Sequence, residues 1–218
     1  MENVTDRTSN PFGMDPSCDT APEESSVVYG YGDANADFHL IGDCPAVHGG
    51  VKSGIPFTDS DAGARLLSVF EEAGFVESGD QSDPRVSNLF SSYLHMCSLP
   101  NNQQPSKEQY DRLEPFFDAE LRAIAAHVLL PVGERATRHV FENYTARPAD
   151  GPLDMDVLHA SELRGSGWLV VPIAEPADWD NDQQEALLSR LQALLASDYR
   201  QISELGRFIA TDEQYFVR

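Results

Sequence analysis

The sequence predicts an α/β fold: three layers, α/β/α, with a mostly parallel central sheet. Short apolar runs alternate with longer segments whose apolar residues recur every three or four positions. Long loops rich in Gly, Pro and Asp follow the strand-like runs rather than the helix-like ones. The 218 residues are 41% hydrophobic, enough for one α/β core.

Residues 1–26 contain TSNPFGMDPSCDTAPEESS and read as an irregular arm; residues 27–218 read as a single domain. Ser26–Tyr29 is a first strand candidate, followed by the turn YGYGDANAD, and Phe38–Gly42 is a short buried strand. The loop beginning GDCPAVHGG spends about fifteen residues where roughly 2–6 suffice for a plain connection, so it lines a site. Asp61–Ala73 has helical spacing, with Ser60 or Asp61 as N-cap. VSNLFSSYLHMCS is a further strand, and Ser106 with Glu108 and Gln109 opens a helix to about His127. VLLPVG is the next strand and Glu134–Tyr144 the next helix. After the loop ARPADGPLD come a strand pair near Asp156–His159 and Trp168–Ile173, then the loop EPADWDND. Asn181 or Asp182 caps the helix QQEALLSRLQALLASDYRQI. GDCPAVHGG and AEPADWD both leave C-terminal strand ends, which in a parallel sheet meet in one crevice.

Acidic residues number 36 against 15 basic, a net charge of −21. The acid is spread over the whole chain, as on the solvated surface of a halophilic cytosolic protein; a nucleic-acid mimic would gather it on one face. Any DNA contact must use local basic groups, in salt that weakens counterion release. The N-terminus is polar and no run approaches 18 apolar residues, so neither a signal peptide nor a membrane span is expected; the reading is a cytoplasmic monomer. Cys18, Cys44 and Cys97 lie far apart without a C-x-x-C pair, so no disulfide is expected, and Cys44 and Cys97 read as buried thiols.

Four stretches carry a resemblance to a known family: GYGDANADFHLIGDCPA, SGIPFTDSDAGARLL, CSLPNNQQPSKEQYDRLEPFFDAEL and HVLLPVGERATRHVF. In this order they resemble the uracil-DNA glycosylase superfamily, especially its iron–sulfur type, over about residues 28–195. The resemblance implies that superfamily's fold, DNA as partner, extrusion of a damaged base into a pocket, and hydrolysis of its N-glycosidic bond through an oxocarbenium-like state. It puts Phe57 where a ring stacks on the base, although a Phe after Pro also suits a core anchor. Asp43 stands for the family's Glu, to position water or balance sugar charge; the plainer reading is a turn cap. Tyr93 falls where an Asn reads the uracil edge, and Glu175-Pro176-Ala177 falls where His-Pro-Ser stabilises the leaving anion. A tyrosine lacks the paired donor and acceptor of an amide, and a carboxylate repels a departing anion unless protonated. Glu175 is then either a general acid or a surface carboxylate.

His48, in the first loop, is a candidate donor to the leaving base or a phosphate, and His95, on the face of Tyr93, a candidate pocket residue. Lys52 and Arg65 are candidate DNA-backbone contacts or plain surface, and Trp179 either an intercalating wedge or a packing residue. Of the family's four cluster cysteines only Cys18 and Cys97 have counterparts; Ala21 and Leu113 stand at the other two places. Two ligands cannot hold a four-cysteine cluster, so no metal or cofactor is expected, and the arm and helix pack apolar side chains there. The implied function is a divergent DNA glycosylase of base excision repair, acting on uracil or another base. The alternative is a catalytically inactive relative that binds DNA or a protein partner. Protein purified without oxygen should be colourless; broad visible absorbance with stoichiometric iron and acid-labile sulfide would refute the cluster-free reading.

Overall fold

The computed structural model describes residues 16, 18, 26–80, 82–145, 147 and 151–205; most of the arm, Ala21 and the C-terminal residues lie outside them. Phe38–Gly42 (β2) is buried over all five residues and forms the middle of the sheet. Parallel to it run Leu89–Tyr93 (β3) on one side and Val128–Pro131 (β4) on the other, with Trp168–Val170 (β6) parallel beyond β4. Tyr31–Gly32 (β1) and Leu163–Gly165 (β5) close the edges antiparallel, giving the order β1-β3-β2-β4-β6-β5. The mostly parallel sheet between helices is the architecture expected.

Successive side chains of β2 feed opposite layers, as the pleat requires. Phe38 and Leu40 join a core with Leu66, Phe70, Leu187 and Leu191, from Asp61–Glu72 (α2) and Asn181–Leu195 (α6). Ile41 joins the other core with Phe117, Leu121 and Val140, from Lys107–Ile124 (α3) and Gly133–Tyr144 (α4). The caps explain the starts: Ser60 accepts from the Gly63 N–H, and Ser106 forms a capping box with Gln109. Among the described residues no helix is long and apolar enough to cross a membrane.

Several local expectations fail for identifiable reasons. Ser26–Tyr29 reduces to one bridge, Val27 to Cys97, and the paired edge is β1, inside the expected turn. A short helix, Pro45–His48 (α1), starts the long loop. Asp156–His159 is not a strand: Met155–Leu158 is a helix (α5), because Asp154 caps the Val157 N–H. The strand that pairs with β6 is instead β5. Asp180, one residue earlier than expected, caps α6, and the last helical stretch breaks into α6 and Tyr199–Leu205 (α7). Tyr199 and Arg200 of α7 then bind the Asp37 carboxylate at the start of β2.

Cys18 and Cys97 form a disulfide, against the expectation of none; Cys44 is the free, buried cysteine among the described residues. Leu113 and Met96 pack around this pair, with Val27 and Phe116 partly buried beside them.

One buried polar group is costly. Glu120 on α3 is 6% exposed; its Oε1 has no partner, and burial pushes its carboxyl up to about 7, against the pull of a hydrogen bond with Ser92. Ser92 also bonds His39 Nε2 at 2.8 Å, while burial lowers that imidazole to about 3 and keeps it neutral. A carboxyl raised on folding supports stability fully below its unfolded value near 4.5 and loses that support as pH rises through about 7. Glu120→Gln should therefore unfold at higher urea than wild type above pH 7, the gap closing below pH 4.5, by up to a few kcal/mol. A gap independent of pH would show that Glu120 does not titrate in the fold.

Candidate functional site

The strand order reverses at β2: one crossover runs to β3, the next past β2 to β4. The crevice outside its C-terminal end is where such sheets bind ligands. Asp43 is the first residue beyond β2. Its N–H donates to His48 Nδ1 at 3.1 Å, and its carbonyl accepts the His95 N–H at 3.0 Å. The Tyr110 hydroxyl donates to Asp43 Oδ1, and Arg135 Nε lies 3.3 Å from Oδ2. The Arg135 guanidinium also stands 4.6 Å over the Tyr110 ring, so the two donors brace each other. Burial and then the Asp43 charge push the Tyr110 phenol far up, so it stays a donor. Neighbouring Cys44 is raised to about 11 by burial and then by Asp43, which makes it an unreactive thiol.

His48 is 1% exposed. Its Nδ1 accepts a backbone N–H, so the ring is the neutral tautomer with the proton on Nε2, and that proton points to Glu175 Oε2 at 3.2 Å. Asp43, His48 and Glu175, from two strand-end loops, thus form one hydrogen-bonded chain.

Phe57 and Tyr93 complete the cluster. The His48 ring lies 5.2 Å from Phe57 and 6.1 Å from Tyr93, and the latter two meet at 5.3 Å, edge to face. The Tyr93 hydroxyl accepts the Phe57 N–H at 2.7 Å and donates to the Gly49 carbonyl at 3.2 Å. Phe57 has φ 63°, a conformation that costs a bulky residue roughly 1–2 kcal/mol and that this bond helps to hold. Two glycines make room for it. A Cβ at Gly42 would stand 2.7 Å from both the Phe57 and Tyr93 rings, and one at Gly63 would stand 2.0 Å from the Phe57 carbonyl.

The Phe57, Tyr93 and His48 side chains close over one another, at 1%, 0% and 1% exposure. Phe57 is also among the walls of a cavity of about 270 Å³, with Thr58, Asp61, Ala64 and Leu67, which Tyr93 does not line. Tyr93 fills the space beside Phe57 and latches the loop over it.

Other residues fall elsewhere. His95 is buried with Nδ1 on the Cys97 carbonyl at 3.0 Å and its ring against Tyr110, on the Asp43 side of the cluster rather than in a pocket with Tyr93. Arg65 is exposed, and its guanidinium donates to the Pro176, Ala177 and Trp179 carbonyls, tying α2 to the loop after β6. Trp179 is no exposed wedge; it is 6% exposed, bonded through Nε1 to the Ala174 carbonyl and packed on His159. Lys52 is exposed in the first loop. Beside Glu175 opens a cleft of about 730 Å³ whose walls include Glu134, Asp156, Asp178, Asp180 and Asp182.

Sequence reasoning missed Tyr110 and Arg135. Tyr110 lies on the apolar stripe of α3 with Leu113, Phe117 and Leu121, and its hydroxyl is the one polar atom of that row. Nothing in GERAT marks Arg135.

The cluster implied by the resemblance does not suit these residues. Cys18 and Cys97 are bonded to each other, Leu113 is buried against them, and among the described residues no three His, Cys, Asp or Glu side chains gather as metal ligands. No step is routed through such a group.

The Tyr93 latch has a measurable cost of removal. Tyr93→Phe leaves the Phe57 N–H buried without an acceptor, so urea unfolding should show a loss of about 1–3 kcal/mol. A loss of a few tenths would mean that the loop is not held this way.

The family model described as "Uracil DNA glycosylase superfamily" matches residues 29–194. A type-4 uracil-DNA glycosylase of Archaeoglobus fulgidus is 24% identical over 190 residues, covering 86% of each chain. A type-5 uracil-DNA glycosylase of Thermus thermophilus is 28% identical over 135 residues, 60% of this chain and 61% of that protein's length. Another type-5 enzyme, from Pyrobaculum aerophilum, is 29% identical over 119 residues, 51% of each.

Proposed function

The chain belongs to the uracil-DNA glycosylase superfamily, and on that premise we propose that it is a divergent DNA glycosylase that removes an extruded base other than uracil, once Tyr93 has left the base position. The observation that carries this reading is the hydrogen-bonded chain Asp43–His48–Glu175 against the Phe57 ring, at the strand ends where the sheet order reverses.

In this mechanism the base stacks on Phe57 and its C1′–N bond breaks, the electron pair passing to the base nitrogen. Asp43, held by Tyr110 and Arg135, faces the positive charge that grows on the sugar. Each of its oxygens has a second lone pair beyond the bond it already accepts, enough to orient a water. The water oxygen bonds C1′ and its proton passes to Asp43 and then to solvent. His48 Nε2–H and Glu175 face the departing base. Uracil leaves as an anion, which Glu175 opposes, and Tyr93 offers its edge no amide.

One observation favours the second reading, an inactive relative that still binds DNA: the zero exposure of Tyr93. An assay separates the two. Oligonucleotides carrying uracil, hypoxanthine, xanthine or 7-methylguanine are incubated with wild type and Asp43→Asn, and abasic sites are cleaved with alkali. The proposal expects no uracil release above a buffer blank, release of at least one other base, and loss of about a hundredfold or more in Asp43→Asn. No release of any base, with DNA still bound, would overturn it in favour of the second reading.

A further inference from the structure

We infer that the base this site accepts is a cation: a purine alkylated on a ring nitrogen, which carries positive charge while bonded to the sugar and leaves neutral. The inference rests on the glycosylase reading and adds the substrate class.

Charge bookkeeping around the aromatic cluster carries it. The Asp43 carboxylate is matched by Arg135 at 3.3 Å and further held by Tyr110. Among the described residues Glu175 has no such match. Its partner at 3.2 Å is His48, whose Nδ1 accepts the Asp43 N–H and which is therefore neutral. This partly exposed carboxylate thus stands without an ion pair on the far side of the His48 ring, which itself lies against Phe57 and Tyr93. Arg65 of α2 donates to the Pro176, Ala177 and Trp179 carbonyls and forms no ion pair with Glu175 among the described residues; its single positive charge is set against the carboxylates of Glu175 and of the cleft beside it. Glu134, Asp156, Asp178, Asp180 and Asp182 line the adjoining cleft and add potential of the same sign.

Such a place suits one kind of base. A neutral pyrimidine leaving as an anion gains charge opposite Glu175, and the site opposes its departure. Once Tyr93 has moved aside, a cationic purine is drawn in by Glu175 and by the negative ring face of Phe57. The glycosidic electron pair then neutralises the ring as the bond breaks, so no anion forms near the carboxylate. Glu175, which stands badly as a counterpart of the family's histidine, becomes a specificity-determining residue.

The test uses two readouts. Binding of 7-methylguanosine, which is predominantly a cation at pH 6, is compared with guanosine by titration calorimetry at that pH, in wild type and in Tyr93→Ser, which opens the Phe57 face. The cation should bind about tenfold tighter in at least one of the two proteins. Adding Glu175→Gln to that protein should shrink the preference below about threefold. Equal affinity for the two nucleosides in both proteins, or a preference untouched by Glu175→Gln, overturns the inference. In the oligonucleotide assay, release of hypoxanthine or xanthine without binding preference for the cation removes this inference and keeps the glycosylase reading. A cation preference dependent on Glu175 with no release of 7-methylguanine removes the glycosylase reading and keeps the inference about the ligand.

Discussion

Five elements are tied together at Asp43. Its N–H reaches His48 at the end of α1 and its carbonyl takes the N–H of His95 beyond β3; its carboxylate holds Tyr110 from the first turn of α3 and Arg135 from the first turn of α4. Each contact is modest alone. Together they leave the carboxylate little freedom, although a free aspartate carboxylate turns broadly about its last torsion. The constraint also fixes His48 as a neutral tautomer, which determines what stands opposite Glu175. The state of the His48 ring is thus set by a backbone N–H three bonds away from the Asp43 carboxylate carbon.

Tyr93 answers to the same geometry from the other side of β2. Gly42 lets two rings close over the strand end, and the Tyr93 hydroxyl turns that closure into a latch on the loop backbone. An amide at this place would be too short to reach both Phe57 and Gly49. Tyrosine reaches both and so closes the loop over Phe57.

The sheet, the two helical layers and the long loop were legible because they depend on periodicity and punctuation. Phe38–Gly42, Asp61–Glu72 and Gly133–Tyr144 lie within a residue or so of where the pattern puts them. What was not legible depends on long-range partners. The helix at Met155–Leu158 is decided by the Asp154 cap over a run whose apolar content suits a strand equally well. Whether Trp179 is a wedge or a packing residue, and what Arg65 holds from its exposed place on α2, stayed open because their partners are backbone carbonyls, which carry no residue identity. The Cys18–Cys97 pair joins positions with no local relation, and composition alone argued against it. Grouping Asp43, Phe57, Tyr93 and Glu175 came from the family resemblance together with the rule that strand-end loops converge; that the side chains close over one another depends on their volumes.

The Cys18–Cys97 bond bears on how the chain is made. The two cysteines are separated by 79 residues, and β1, β2, α1, α2 and β3 all lie between them. A ribosome adding about 5–20 residues per second exposes Cys18 several seconds before its partner. β3, the strand with which both β1 and β2 pair, ends only four residues before Cys97, so this half of the sheet and the second thiol become available together. Cys18 therefore waits as a free thiol until then, and the bond closes at or after the pairing of β3.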